Sequence, residues 1–132
     1  MKKLITIFSF FLAGCTTESV ATNTLEPSYK LNTKYLVLAT WYESGRRTAN
    51  GEHFNPDGMT VAHKKLPFNT MIRVTNPKNG NSILVRVNDR GPFVRGRELD
   101  LARGAARAIG MRGTEKVHME VVSNQLKEGK KK

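Results

Sequence analysis

Apolar residues recur at every second position in four short stretches of the chain, the signature of half-buried β-strands. The stretches are Tyr35-Leu36-Val37-Leu38-Ala39-Thr40-Trp41, Met71-Ile72-Arg73-Val74-Thr75, Ile83-Leu84-Val85-Arg86-Val87 and Val117-His118-Met119-Glu120-Val121. Between the second and third lies Asn76-Pro77-Lys78-Asn79-Gly80-Asn81. Its Asn79-Gly80 pair tolerates the positive φ that tight loops require, which predicts a β-hairpin. One stretch breaks the pattern: Leu101-Ala102-Arg103-Gly104-Ala105-Ala106-Arg107-Ala108-Ile109 is Ala-rich, with Asp100 before it and Gly110 after it. Asp100 suits an N-cap and Gly110 a C′ position, so a short helix is predicted and Asp100 is assigned a structural role. Many short strands and a helix together predict a small, mostly-β barrel.

The N-terminal apolar run has a different character. Lys2 and Lys3 precede Leu4-Ile5-Thr6-Ile7-Phe8-Ser9-Phe10-Phe11-Leu12, and Ala13-Gly14-Cys15 follows. The run falls short of the roughly 20 apolar residues that span a bilayer, so residues 1–14 are predicted to be a cleaved signal peptide. Leu12-Ala13-Gly14-Cys15 resembles a bacterial lipobox, which implies acylation of Cys15 and a lipid-anchored envelope protein. Thr16, rather than Asp, after the cysteine implies the outer membrane, with the protein facing the periplasm. A single acyl chain holds a protein only marginally, so stable anchoring implies more than one chain. Cys15 is also the only cysteine, so an acylated Cys15 leaves no thiol for a disulfide or a nucleophile.

Residues 15–34 are rich in Thr, Ser, Asn and Glu and are predicted to tether the anchor to a folded unit at 35–123. Residues 124–132 end in Lys130-Lys131-Lys132 and are predicted to form a basic disordered tail. This length accommodates one domain, expected to be a monomer. The formal charge is +11, and loss of Lys2 and Lys3 brings it to about +9. A balance this basic often signals nucleic acid, but the export signal argues against that partner. Acidic wall polymers and lipid head groups are the anions within reach.

Three polar, glycine-bearing stretches fall where a β domain places its loops. They are Arg46-Arg47-Thr48-Ala49-Asn50-Gly51-Glu52, Val61-Ala62-His63-Lys64-Lys65-Leu66-Pro67-Phe68 and Val87-Asn88-Asp89-Arg90-Gly91-Pro92-Phe93. Taken singly, each is explained by turn chemistry. Together they supply Glu52, His63 and Asp89, groups able to transfer a proton or polarise a bond. Glycosidic cleavage asks for this inventory, because an acid must protonate the leaving oxygen while other groups serve an oxocarbenium-like centre. His53 and His118 are assigned to the surface. The histidine spacing offers no metal site, and neither metal nor cofactor is expected.

These motifs carry a resemblance. Trp41-Tyr42, Thr48-Ala49-Asn50-Gly51-Glu52, Ala62-His63-Lys64-Lys65-Leu66-Pro67-Phe68, Arg73-Val74-Thr75-Asn76, Asn79-Gly80, Val85-Arg86-Val87-Asn88-Asp89-Arg90-Gly91-Pro92-Phe93 and Glu98-Leu99-Asp100-Leu101 occur in order. Over about residues 40–122 the chain closely resembles the rare lipoprotein A family. The resemblance implies a six-stranded double-psi β-barrel with one or two short helices. It also implies a lytic transglycosylase that acts on peptidoglycan glycan strands stripped of their stem peptides. The family's functional acid, histidine and aspartate fall on Glu52, His63 and Asp89. Glu43 stands where a glycine is common in the family, so the rim of the cleft is expected to differ.

The expected mechanism makes Asp89 the general acid on the bond between N-acetylmuramic acid and N-acetylglucosamine. Asp89 or Glu52 then acts as base on the muramic C6 hydroxyl, and a 1,6-anhydro ring forms. One carboxyl must then hold a raised pKa, through burial or through the other carboxylate nearby. His63 is expected to orient a carboxylate or the substrate. Arg90 and Arg73 are candidate substrate contacts through hydrogen bonds to carbonyl or lactyl oxygens, or structural ion pairs instead. Trp41 and Tyr42 are candidate sugar platforms, although an aromatic ending a strand more often belongs to the core. The alternative function is a non-catalytic, expansin-like peptidoglycan-binding lipoprotein, since fold alone does not decide function.

Overall fold

The computed structural model describes residues 29–123. The predicted signal peptide, Cys15, most of the predicted tether and the basic tail lie outside the described residues. Each stretch with period-two alternation is a strand: β1 (Lys34–Tyr42), β3 (Met71–Thr75), β4 (Ser82–Asp89) and β6 (Glu115–Ser123). Two further strands, β2 (Thr60–Ala62) and β5 (Leu99–Ala102), complete the set, and the helix α1 (Arg103–Ala108) follows β5 directly. The six strands close into a barrel in the order β1-β5-β2-β4-β3-β6. The pairs β1–β5 and β2–β4 are parallel, and the others are antiparallel.

Alternation explains the core. Ile72 and Val74 of β3, Val85 and Val87 of β4, Leu99 and Leu101 of β5, and Val117, Met119 and Val121 of β6 are buried inside. Burying each large aliphatic side chain contributes about 1.5–3 kcal/mol, enough for one continuous core to hold a domain that has no disulfide among its described residues. The predicted hairpin is present between β3 and β4, with Gly80 at φ 74° and Asn76 N–H donating to Asn81 O at 2.9 Å. This loop also reaches the helix: the side-chain amides of Asn76 and Asn79 donate to Ile109 O at 2.8 and 3.0 Å. They satisfy a carbonyl that the helix end leaves free.

The helix corrects one expectation. It begins at Arg103, not Leu101; Ala102 occupies the N-cap, and no side chain caps it. Asp100 is therefore not a cap. It is a strand residue of β5, because Leu99 and Leu101 both face the core and turn Asp100 to the opposite side. Gly110 follows the helix at φ 71°, as expected for a C′ residue.

The predicted tether ends earlier than expected. Residues 29–33 already lie against the barrel: Tyr29 and Leu31 pack on the core, and Asn32 N–H donates to Val121 O at 2.9 Å.

Candidate active site

Strand register brings four residues into one row on the side of the sheet away from the core. Thr40 of β1 pairs with Asp100 of β5, Asp100 with Ala62 of β2, and Ala62 with Asp89 of β4. A register shift between Val61 and Ala62 makes this possible. Val87 faces the core, so strict alternation would turn Asp89 inward; the bulge instead places it beside Ala62. Asp89 and Asp100 thus flank the small side chain of Ala62, two strand spacings or about 10 Å apart at their α-carbons.

The two carboxyls have unlike surroundings. Asp89 Oδ1 accepts from Ala49 N–H at 2.8 Å and Arg90 N–H at 2.9 Å, and its Oδ2 accepts from the Tyr42 hydroxyl at 3.1 Å. Asp100 has one side-chain donor, the Thr40 hydroxyl at 2.8 Å. Burial pushes the Asp100 carboxyl above the ordinary aspartate range, and the nearby Asp89 charge adds to the rise against the opposing effects of Thr40 and Arg97. Burial, with the Asp89 charge and hydrogen bond, raises the Tyr42 hydroxyl too and keeps it a proton donor. Phe54 stacks on the Tyr42 ring at 4.6 Å and fixes its direction.

Glu52 lies outside this row. It is held by Arg86, whose Nη1 and Nη2 approach its two carboxylate oxygens at 2.6 and 2.8 Å, and by the side-chain amides of Asn50 and Asn88. Hydrogen bonds from Arg86, then Asn50 and Asn88, bring its pKa down to about 2. A carboxyl held so low cannot supply a proton near neutral pH, so of the two carboxyls expected to share the acid and base roles, Glu52 is not the acid. Its structural effect is to fasten the 48–52 loop, whose Ala49 N–H reaches Asp89.

Because the folded pKa is depressed, the Glu52–Arg86 pair stabilises the fold above pH 4.5 and loses that contribution as pH falls toward 2. The Glu52 side chain is 38% exposed, so solvent screening limits the contribution to about 1 kcal/mol. Urea unfolding of the protein and of Glu52→Gln is expected to differ by that amount at pH 6 and to converge near pH 2.

His63 is buried at the end of β2. Its Nδ1 accepts from the N–H groups of Lys65 and Leu66 at 3.1 and 3.0 Å, which leaves the proton on Nε2. Nε2 lies 3.2 Å from Glu98 Oε1, too bent for a full hydrogen bond. Burial lowers the imidazole pKa, against the opposing pull of Glu98, so the ring is neutral. Neutral and turned toward Glu98, His63 shapes the loop after β2.

The other expected contacts divide. Tyr42 joins the site, but through its hydroxyl on Asp89 rather than as an open ring face. Trp41 points the other way: it packs against the core, and its Nε1–H lies 3.4 Å from Arg112 O. Arg90 does not pair with Asp89 through its guanidinium. Its Nη1 donates to His63 O at 3.1 Å and Leu66 O at 2.8 Å, and its Cζ sits 4.0 Å from the Phe68 ring centre.

Arg73 pairs with Glu120 at 3.4 Å. In register it stands opposite Leu84, about 17 Å along β4 from Asp89. Arg73→Ala is expected to leave stability within about 0.5 kcal/mol, measured by thermal unfolding.

Asp100 is the site residue that the sequence reading assigned elsewhere. The alternation Glu98-Leu99-Asp100-Leu101 carried the strand signal that would have found it. Among the described residues, no group of three or more His, Cys, Asp or Glu is arranged to hold a metal ion.

Comparison with known proteins agrees with this architecture. Residues 36–121 match the family model described as lytic transglycolase. A probable endolytic peptidoglycan transglycosylase RlpA of Nostoc sp. is 62% identical over 71 residues, covering 54% of this chain and 19% of that protein. The endolytic peptidoglycan transglycosylase RlpA of Campylobacter jejuni is 49% identical over 90 residues, 64% of this chain and 33% of that protein. The chain thus matches only about a fifth to a third of the length of these relatives. Among solved structures, the Streptomyces papain inhibitor superposes with TM-score 0.60 at 20% identity, over 72% of this chain and 99% of that one. An expansin of Clavibacter michiganensis gives TM-score 0.56 at 24% identity, over 69% and 51%. The chain belongs to the lytic transglycolase family, as a rare lipoprotein A relative built on a double-psi β-barrel.

Proposed function

We propose that this protein is an endolytic peptidoglycan transglycosylase, anchored to the envelope through an acylated Cys15. The observation that carries the reading is the pair of unlike carboxyls, Asp89 and Asp100, flanking Ala62 on one face of the barrel. The relatives named as peptidoglycan transglycosylases support the substrate class. An expansin with this fold, solved with cellohexaose, supports a glycan as occupant.

In this mechanism Asp100, rather than Asp89, is the general acid. Burial favours its neutral form more than that of an open carboxyl, and in this mechanism its proton passes to the glycosidic oxygen as the bond from C1 of N-acetylmuramic acid breaks. Asp89, ringed by donors, is the base that takes the proton from the muramic C6 hydroxyl as its oxygen attacks C1. The products are an N-acetylglucosamine 4-hydroxyl and a 1,6-anhydro end, with no water consumed. Tyr42 and Ala49 hold Asp89 in place, and Glu52 and His63 hold the loops around it.

The test is incubation of the purified protein with peptide-stripped glycan strands, with parallel measurement of released fragments and of strands retained in a pull-down. Release of soluble fragments supports the enzyme. Retention without release would replace it with an expansin-like, non-catalytic wall-binding protein.

A further inference from the structure

We propose that Tyr29 and Glu98 form a positioning relay that sets His63 and, through the loop after it, Asp89. The relay rests on the function proposed above and extends it to a residue outside the matched span 36–121. The contacts run in series, and the link between Glu98 and His63 is a close electrostatic approach rather than a full hydrogen bond. The Tyr29 hydroxyl donates to Glu98 Oε1, and the Tyr29 ring meets the His63 ring edge to face at 5.5 Å. Glu98 Oε1 lies against the protonated Nε2 of His63. The opposite nitrogen, Nδ1, collects the Lys65 and Leu66 N–H groups and so curls the loop. Arg90 closes that curl by donating to His63 O and Leu66 O, while its own backbone N–H donates to Asp89 Oδ1.

Each link has a physical reason. A neutral imidazole has one donor and one acceptor nitrogen, and a carboxylate beside Nε2 favours the tautomer with the proton there. Only that tautomer leaves Nδ1 free to accept two backbone N–H groups. The charged and titratable groups facing His63 are Tyr29, Glu98, Arg90 and Lys64, and Glu98 alone among them is an anion. Tyr29 is also clamped by Tyr35, whose ring meets it edge to face at 5.1 Å. The segment before the barrel is therefore part of the site's support.

Tyr29→Phe removes only the hydroxyl and keeps the ring contacts, whereas Glu98→Leu removes the acceptor and Glu98→Gln retains a neutral one. The measurements are kcat and KM on peptide-stripped strands, thermal unfolding, and the nitrogen-15 signals of His63. The expected result is a fall in kcat of about tenfold for Tyr29→Phe and Glu98→Leu, with KM within about twofold, because a small misplacement of a reacting group lowers kcat. The His63 nitrogen signals move in both variants, and Glu98→Gln recovers most of the rate. Unchanged kcat and unchanged His63 signals would overturn the relay. A lowered kcat that merely follows a lowered unfolding temperature, with the His63 signals unmoved, would overturn it as well. Should the unmodified protein fail to cleave glycan, the proposed function falls, and the His63 signals alone decide the relay.

Discussion

Asp100→Asn is expected to lower glycan cleavage by about 10²- to 10⁴-fold, the range that a general acid contributes, while leaving the barrel folded. Asparagine has nearly the shape of the carboxyl, and its side-chain oxygen can still accept from the Thr40 hydroxyl. What it lacks is an acidic proton to give. The stability effect has the opposite sign. The Asp100 carboxyl has a raised pKa in the folded state, so its neutral form suits the fold, and stability is lost as pH rises through that value. The variant carries no charge to bury at any pH. It is therefore expected to unfold at the same or a higher temperature above neutral pH, measured by calorimetry beside the cleavage assay. Full activity in this variant would remove Asp100 from the mechanism.

Gly104→Ala is expected to destabilise the domain by about 1–3 kcal/mol, although helix propensity alone predicts a gain of about 1 kcal/mol for this change. The reason is a close approach of backbone to backbone. A Cβ at Gly104 would stand 2.5 Å from Asp57 O and 2.6 Å from Asp57 Cα. Neither atom belongs to a flexible side-chain end that could swing aside. The same approach lets Gly104 N–H donate to Pro56 O at 2.7 Å, and Arg103 Nη2–H to Asp57 Oδ1 at 3.0 Å. Displacing residues 55–58 would also disturb Phe54, which stacks on Tyr42 at the site. Urea unfolding settles the sign: a more stable variant would mean that the loop yields at little cost.

The parts of the fold legible in the sequence were those with enough alternation to count. β1, β3, β4 and β6 each offer five or more residues, and their apolar sides are buried as the period predicts. β2 has three residues and β5 has four, too few to stand out beside turn-forming and Ala-rich neighbours. The missed β5 had a consequence for the site. Asp before an Ala-rich run is what an N-cap looks like, and only the barrel's closure turns that residue toward Asp89.

Side-chain direction was the other hidden quantity. Trp41 and Tyr42 are neighbours in sequence, yet one packs on the core and the other reaches Asp89, because adjacent strand residues face opposite sides. Arg90 follows Asp89 directly, and its guanidinium nonetheless serves the loop after β2. The bulge that turns Asp89 outward leaves no mark in composition at all.

In the proposed mechanism cleavage consumes no water, with Asp100 as acid and Asp89 as base. That mechanism is tested most directly by digesting peptide-stripped glycan strands in water labelled with heavy oxygen and weighing the new muramic ends. The expected ends are lighter than a reducing end by one water, carry no heavy oxygen, and are absent from digests with Asp89→Asn or Asp100→Asn. Reducing ends that carry the heavy oxygen would mean that water, not the C6 hydroxyl, attacks the sugar, and would overturn that mechanism.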